Sequence, residues 1–196
     1  LACSFFWNFY LMSALHIEGY VIISADGMLA NSDHMMPDSL KFEGDQRFFN
    51  AALDDADLIV HGRNSFEDQP NSPRRRRIIL TRAIHSLAFE PHNPKATLWN
   101  PAGASFEQAC AHAQVSSGTI AIIGGPGVFA MFFGRYDTFW LSQAPLVHLP
   151  GGEPVFPGVP QKSPEKTLQD SGLQARNKRV LDANQHVTVT AWRKPI

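Results

Sequence analysis

Thr119-Ile120-Ala121-Ile122-Ile123-Gly124-Gly125-Pro126-Gly127-Val128-Phe129 is the stretch that decides the fold class. A run of apolar and β-branched residues stops at two glycines, and a new apolar run follows Gly127. The first run shows no polar alternation, so it reads as a strand over 119–123 buried on both faces. Gly124-Gly125 reads as a turn, and 128–133 as the start of a helix. Glycines let an anion approach the backbone, and a helix start presents free N–H groups. The same residues also suit a tight turn that needs only small side chains. The spacing is not G-x-G-x-x-G, and the strand comes late in the chain.

Working outward, the pattern repeats. G-Y-V-I-I-S (19–24), D-L-I-V-H (57–61) and R-I-I-L-T (77–81) read as buried strands. Weaker strands are read over 96–99 and 138–141. Helices are read over 45–54, with Phe48, Phe49, Ala52 and Leu53 on one face, over 63–69, and over 105–113, where Ser105 and Gln108 form a capping-box pattern. V-T-V-T-A-W (187–192) alternates, which predicts an antiparallel strand at an edge. Residues 71–77 and 145–160 read as loops. Strands alternating with helices imply an α/β fold with a mostly parallel sheet covered on both sides.

The 196 residues suffice for one domain with a sizeable core. A formal net charge of -1 gives no global attraction for nucleic acid or anionic membrane. Cys3 and Cys110 make no disulfide framework, so the cytoplasm is the default compartment. Residues 1–11 are apolar and uncharged, too short to span a bilayer and without a basic start. They read as an extension ahead of a single domain over 12–196, or as an arm that packs on it or on a partner.

Candidate chemistry gathers at strand ends. Gly62-Arg63-Asn64-Ser65 follows the second strand; Arg63 and Ser65 suit an anion, or Asn64 or Ser65 caps a helix. Thr81-Arg82 follows the third, the edge where open α/β sheets bind ligands. Two arginines there suit a 2′-phosphate, which favours NADPH over NADH. Asp26, after Ser24, either shapes a turn or belongs to a lid over the reacting carbon. Met28, Met35 and Met36 supply adaptable apolar contacts. Asp45 complements a helix dipole, or orients and protonates substrate beside Phe49. The Arg74–Arg77 run, without interleaved aromatics, reads as a solvated loop rather than a nucleic-acid patch. The scattered histidines show no metal-ligand spacing, so no metal is expected.

In this order, S-A-D-G-M-L-A (24–30), D-Q-R-F-F (45–49), D-L-I-V-H-G-R-N-S-F-E (57–67), I-I-L-T-R (78–82), I-I-G-G-P-G-V-F (122–129) and Y-D-T-F-W-L (136–141) resemble the dihydrofolate-reductase-like superfamily. The resemblance covers roughly 17–192. S-x-D-G-x-x-A is closer to the reductase domain of the riboflavin-biosynthesis deaminase-reductase. Dihydrofolate reductase itself carries Pro-Trp after the first loop, where this chain has Pro37-Asp38. G-G-E-P-V-F-P (151–157) fits either branch.

The resemblance implies a three-layer αβα sandwich and an NADPH site. Gly124, Gly125 and Gly127 would hold the pyrophosphate with Ser65 assisting, Arg63, Thr81 and Arg82 the adenosine-phosphate end, and Gly62 and Val128 would belong to the same cofactor site. It implies hydride transfer to a small heterocyclic or sugar-linked substrate, as in 5-amino-6-(5-phosphoribosylamino)uracil reduction. Asp45 and Asp26 would be catalytic, and Ser24, Met28 and Phe49 would line the substrate. It also allows a homodimer. The rival readings are dihydrofolate reductase and a non-catalytic nucleotide-binding protein on the same fold.

Overall fold

The computed structural model describes residues 15–65 and 71–195. The expected extension at 1–11, the domain start near Met12 and most of the expected helix over 63–69 lie outside the described residues; Arg63 and Asn64 themselves form a turn.

Nine strands form one sheet. In chain order its members are β1 (Leu15–Ser24), β3 (Leu58–Gly62), β4 (Arg77–Leu80), β5 (Leu87–Glu90), β6 (Asn93–Trp99), β7 (Gly118–Ile122), β8 (Thr138–Ala144), β10 (Gln174–Asp182) and β11 (Val187–Arg193). The spatial order is β10-β11-β8-β1-β7-β3-β4-β6-β5. The six strands from β8 to β6 are mutually parallel, while β11, β10 and β5 are antiparallel additions. Short strands β2 (Met28–Ala30) and β9 (Glu153–Pro154) pair separately over the loop after β1.

Helix α1 (Glu43–Asp55) covers one face of the sheet; α2 (Phe106–His112), α3 (Pro126–Met131) and α4 (Pro164–Asp170) cover the other. Under α1, Leu53 packs on Tyr20, Ile59 and Ala121, with Phe48, Phe49 and Ala52 beside them. Opposite, Ile23, Val60, Ile78 and Ile122 meet Phe106, Phe129 and Leu168. Each fully buried side chain of this size contributes about 2 kcal/mol. Alternation along each strand feeds both cores, which is why the parallel strands read as continuous apolar runs. Ser105 does cap α2, its side chain accepting the Gln108 N–H while Gln108 returns a bond to the Ser105 N–H.

Three expectations are corrected. The alternating C-terminal strand, β11, is buried and interior; the edge is β10, whose side chains are mostly exposed and give no hydrophobic period. The connection before β6 contains a strand, β5, at the opposite edge. The Arg74–Arg77 run is not a solvated loop. Arg75 donates to Asp54, Arg76 Nη1 donates to Ala113 O at 3.0 Å, and Arg77 donates to Ser72. Arg75 and Arg76 therefore hold the start of β4 against α1 and the end of α2, and Arg77 ties it to the turn that precedes it.

The register makes a step in the sheet. Strand β7 pairs with β1 only as far as Ile122 opposite Gly19, whereas β1 continues beside β8 until Ser24 opposite Ala144. Tyr20–Ser24 therefore project past the end of β7, and the ends of β7, β3 and β4 form the floor beside that projecting wall. No helix among the described residues is long and apolar enough to cross a membrane.

Candidate active site

The floor of the step carries the glycine turns. Gly62 N donates to Gly124 O at 2.7 Å, and Ile123 N to Val60 O at 3.0 Å, so the exits of β3 and β7 are bonded to each other. The Gly124-Gly125 peptide is cis, and Gly124 has φ of 114°, a conformation that favours glycine. Ser65 N donates to Gly62 O at 3.0 Å, closing the turn over 62–65. That turn brings the Ser65 hydroxyl to the glycines: a Cβ built on Gly125 would lie 3.2 Å from Ser65 Oγ. A Cβ on Gly127 would meet nothing within 4 Å. The two glycine motifs, far apart in sequence, thus form one cradle that is open above Gly127.

Arg63 and Arg82 are exposed. Gly62 pairs with Leu80, which puts Arg63 and Thr81 on neighbouring strand exits. Thr81 is buried; its N–H donates to Trp99 O, and its hydroxyl accepts the Ala83 N–H at 3.1 Å. Val128 donates its N–H to Gly125 O at 2.9 Å inside α3, and its side chain is in the core beside Gly62.

The other end of the step lies on the α1 face. Asp45, in the first turn of α1, is 8% exposed. Burial pushes its carboxyl up to about 6, opposed by a hydrogen bond with the Ser142 side chain. Ser142 is a buried hydroxyl in β8 whose register partners are Ile22 and Val189. The Asp45 carboxyl therefore meets a hydroxyl that lies between Ile22 and Val189 in the sheet. Phe49, one turn along α1, is half-buried and packs edge-on against Tyr20, 6.4 Å between ring centroids. Nothing local in L-S-Q-A marks Ser142, because its partner comes from a helix near the other end of the chain.

Asp26 lies in different surroundings. Burial works to raise its pKa, but the Ser24 hydroxyl and the Leu149 N–H outweigh it and hold the carboxyl below the ordinary carboxylate range. The Leu149 N–H is 3.1 Å from both carboxylate oxygens, and Met28 N donates to Ser24 Oγ at 3.0 Å. These bonds staple the loop after β1 to the loop after β8, which is the turn-shaping part read for Asp26. Met28 is buried in the core, while Met35 and Met36 are exposed. Among the described residues no group of His, Cys, Asp or Glu is placed to hold a metal ion.

No protein-family model matches the chain, and no curated protein sequence matches it. Solved structures do. A protein described as a riboflavin biosynthesis protein from Shewanella sp. PV-4 superposes with a TM-score of 0.63 at 18% identity, covering 92% of this chain and 99% of that one. Dihydrofolate reductase from Enterococcus faecalis, in complex with NADP(H) and RAB-propyl, gives 0.62 at 16% identity, covering 92% and 97%. The diaminohydroxyphosphoribosylaminopyrimidine deaminase/5-amino-6-(5-phosphoribosylamino)uracil reductase of Thermotoga maritima gives 0.64 at 14%, and this chain spans 56% of its length. At these identities the likeness is one of architecture, and it agrees with the resemblance carried by the strand-end motifs. The chain has an α/β sandwich fold, the architecture it shares with these solved structures.

Proposed function

We propose that the chain is an NADPH-dependent reductase of a small heterocyclic or sugar-linked substrate, of the riboflavin-pathway reductase type. The observation that carries this reading is the placement of a buried carboxyl, Asp45 in the first turn of α1, its pKa raised to about 6 by burial, over a sheet whose stepped edge also holds an open glycine cradle. The residues present fit the cofactor: the space above Gly127 is free, and Arg63 and Arg82 are exposed at adjacent strand exits. Gly62, Ser65, Gly124, Gly125 and Gly127 would hold the pyrophosphate, and Arg63, Thr81 and Arg82 the 2′-phosphate. NADPH supplies the hydride when bound.

The chain's own residues then orient and protonate. With a pKa near pH 6, Asp45 holds a proton in mildly acidic buffer and can give it to a substrate nitrogen or oxygen. Ser142 fixes the direction of that carboxyl. Asp26, held below the ordinary carboxylate range by the Ser24 hydroxyl and the Leu149 N–H, positions the loop that borders the site. The wall of β1 and the side chain of Phe49 exclude water from one side of the substrate.

The test is a thermal-shift series. NADPH at a hundred times its dissociation constant is expected to stabilise the protein by about 2.7 kcal/mol, and NADH at the same concentration by far less. Equal shifts would remove the 2′-phosphate assignment, and no shift with either would remove the reading. Dihydrofolate and the ribosylaminouracil are then offered as substrates, and the one reduced identifies the reductase type.

Gly127→Ala isolates the cradle. The residue lies in α3 with room for a methyl group, so the unliganded protein should keep its stability or gain up to about 1 kcal/mol. NADPH affinity should fall several-fold, because the methyl group takes space the phosphate needs. Titration by cofactor fluorescence reads this directly, and unchanged affinity would move the phosphate elsewhere.

A further inference from the structure

His61 is the last residue but one of β3, just before Gly62, and is 2% exposed. No role above uses it. Its Nδ1 lies 2.9 Å from Gly62 O. A carbonyl only accepts, so Nδ1 carries the proton and donates, leaving Nε2 as a bare acceptor. Nε2 is buried without a hydrogen-bond partner among the described residues. Its strand neighbour across the sheet is Ile79. Burial, with a contribution from the Arg77 charge and against the Gly62 hydrogen bond, lowers the imidazole to about 4, so the ring is neutral in ordinary buffers.

Packing does not explain a histidine here. An aliphatic side chain would fill the place without burying an unpaired acceptor, which costs free energy. What the ring supplies is one N–H to the Gly62 carbonyl. The same carbonyl accepts the Ser65 N–H at 3.0 Å, the bond that closes the turn over 62–65. Ser65 Oγ in turn lies against Gly124-Gly125, and Arg63 is carried on the same turn.

We infer that His61 is a positioning residue: by holding the Gly62 carbonyl from beneath, it locks the 62–65 turn and sets the grip of Ser65 and Arg63 on the phosphate of a bound dinucleotide. The identity of the ligand rests on the proposed function; the locking of the turn does not.

The test compares wild type, His61→Leu and His61→Asn, since the asparagine amide can replace the Nδ1–H. Two measurements are made on each full-length protein: amide exchange at Ser65 by NMR without ligand, and NADPH titration. His61→Leu should keep or raise the melting temperature, yet exchange the Ser65 amide faster and bind NADPH about three- to tenfold more weakly. His61→Asn should restore most of both, which a purely space-filling role would not produce. If the leucine variant does not fold, His61→Met takes its place. Unchanged Ser65 exchange in the variant overturns the inference. So does unchanged NADPH affinity where wild type binds. If wild type binds no NADPH, the proposed function falls, and the Ser65 exchange alone decides the role of His61.

Discussion

Replacing Asp45 with asparagine is expected to cut reductase turnover by about a hundredfold or more while raising the stability of the protein at pH 8. The two effects share one cause. The carboxyl is taken from its ordinary value of 3.8 up to about 6 by burial, which Ser142 only partly offsets. The folded state thus binds the proton more tightly than the unfolded chain does. The stability contributed by that proton is fully present below about pH 3.8 and is lost as pH rises through about 6. Over that window the wild type gives up about 2–3 kcal/mol. Asparagine has no charge to bury, so its variant escapes the loss. At pH 8 its melting temperature should be higher by roughly 5–8 °C, and near pH 4 the two proteins should converge. Turnover of the wild type should decline as pH rises through about 6, as the carboxyl loses the proton it delivers. Melting curves at both pH values and a pH–rate profile check this. An asparagine variant that turns over normally would show that Asp45 serves the helix alone.

Gly44→Ala is expected to be the most damaging single methyl group in this region. A Cβ on Gly44 would lie 2.0 Å from the carbonyl oxygen of Leu181 in β10 and 2.9 Å from its carbonyl carbon. Both are backbone atoms, so no side chain can swing aside. Either the first turn of α1 lifts or the β10–β11 hairpin shifts. We expect a loss of about 3 kcal/mol, seen as a fall of roughly 6–12 °C in melting temperature. Asp45 is the next residue, so the lift also draws its carboxyl away from Ser142. Turnover measured well below the melting temperature should fall as well, which separates displacement of the site from simple unfolding. Unchanged stability would mean that α1 is not held as closely to β10 as the structure describes.

How much of this was legible in the sequence depended on where the information lay. The parallel strands were readable because burial on both faces makes runs such as D-L-I-V-H and T-I-A-I-I almost wholly apolar. Strand β10 was not, because Q-A-R-N-K-R-V-L-D is exposed along most of its length and its strand character comes only from pairing with β11. Helix α4 was not read, although Ser163 caps it by accepting the Lys166 N–H and Pro164 takes its first position. Within the site, the glycine turns and the arginines could be named because each is a local event at a strand exit. Ser142 and His61 could not. Their parts come from register and from burial, which join residues distant in the chain. The burial of the Val128 and Met28 side chains in the core was likewise set by tertiary packing and not by their neighbours in sequence.

The step between β1 and β7 has a further consequence, best expressed as length. A strand is a ruler marked at about 3.3 Å per residue. The five residues Tyr20–Ser24 therefore build a wall about 16 Å long past the end of β7. Depth here is a count of residues and does not depend on the pose of a loop. Removing two of them would shorten the wall by about 7 Å and leave every remaining side chain on its own face, whereas removing one would turn the outer part of the strand over. Whatever the site has been shaped to hold, its reach along β1 can be altered only in steps of two.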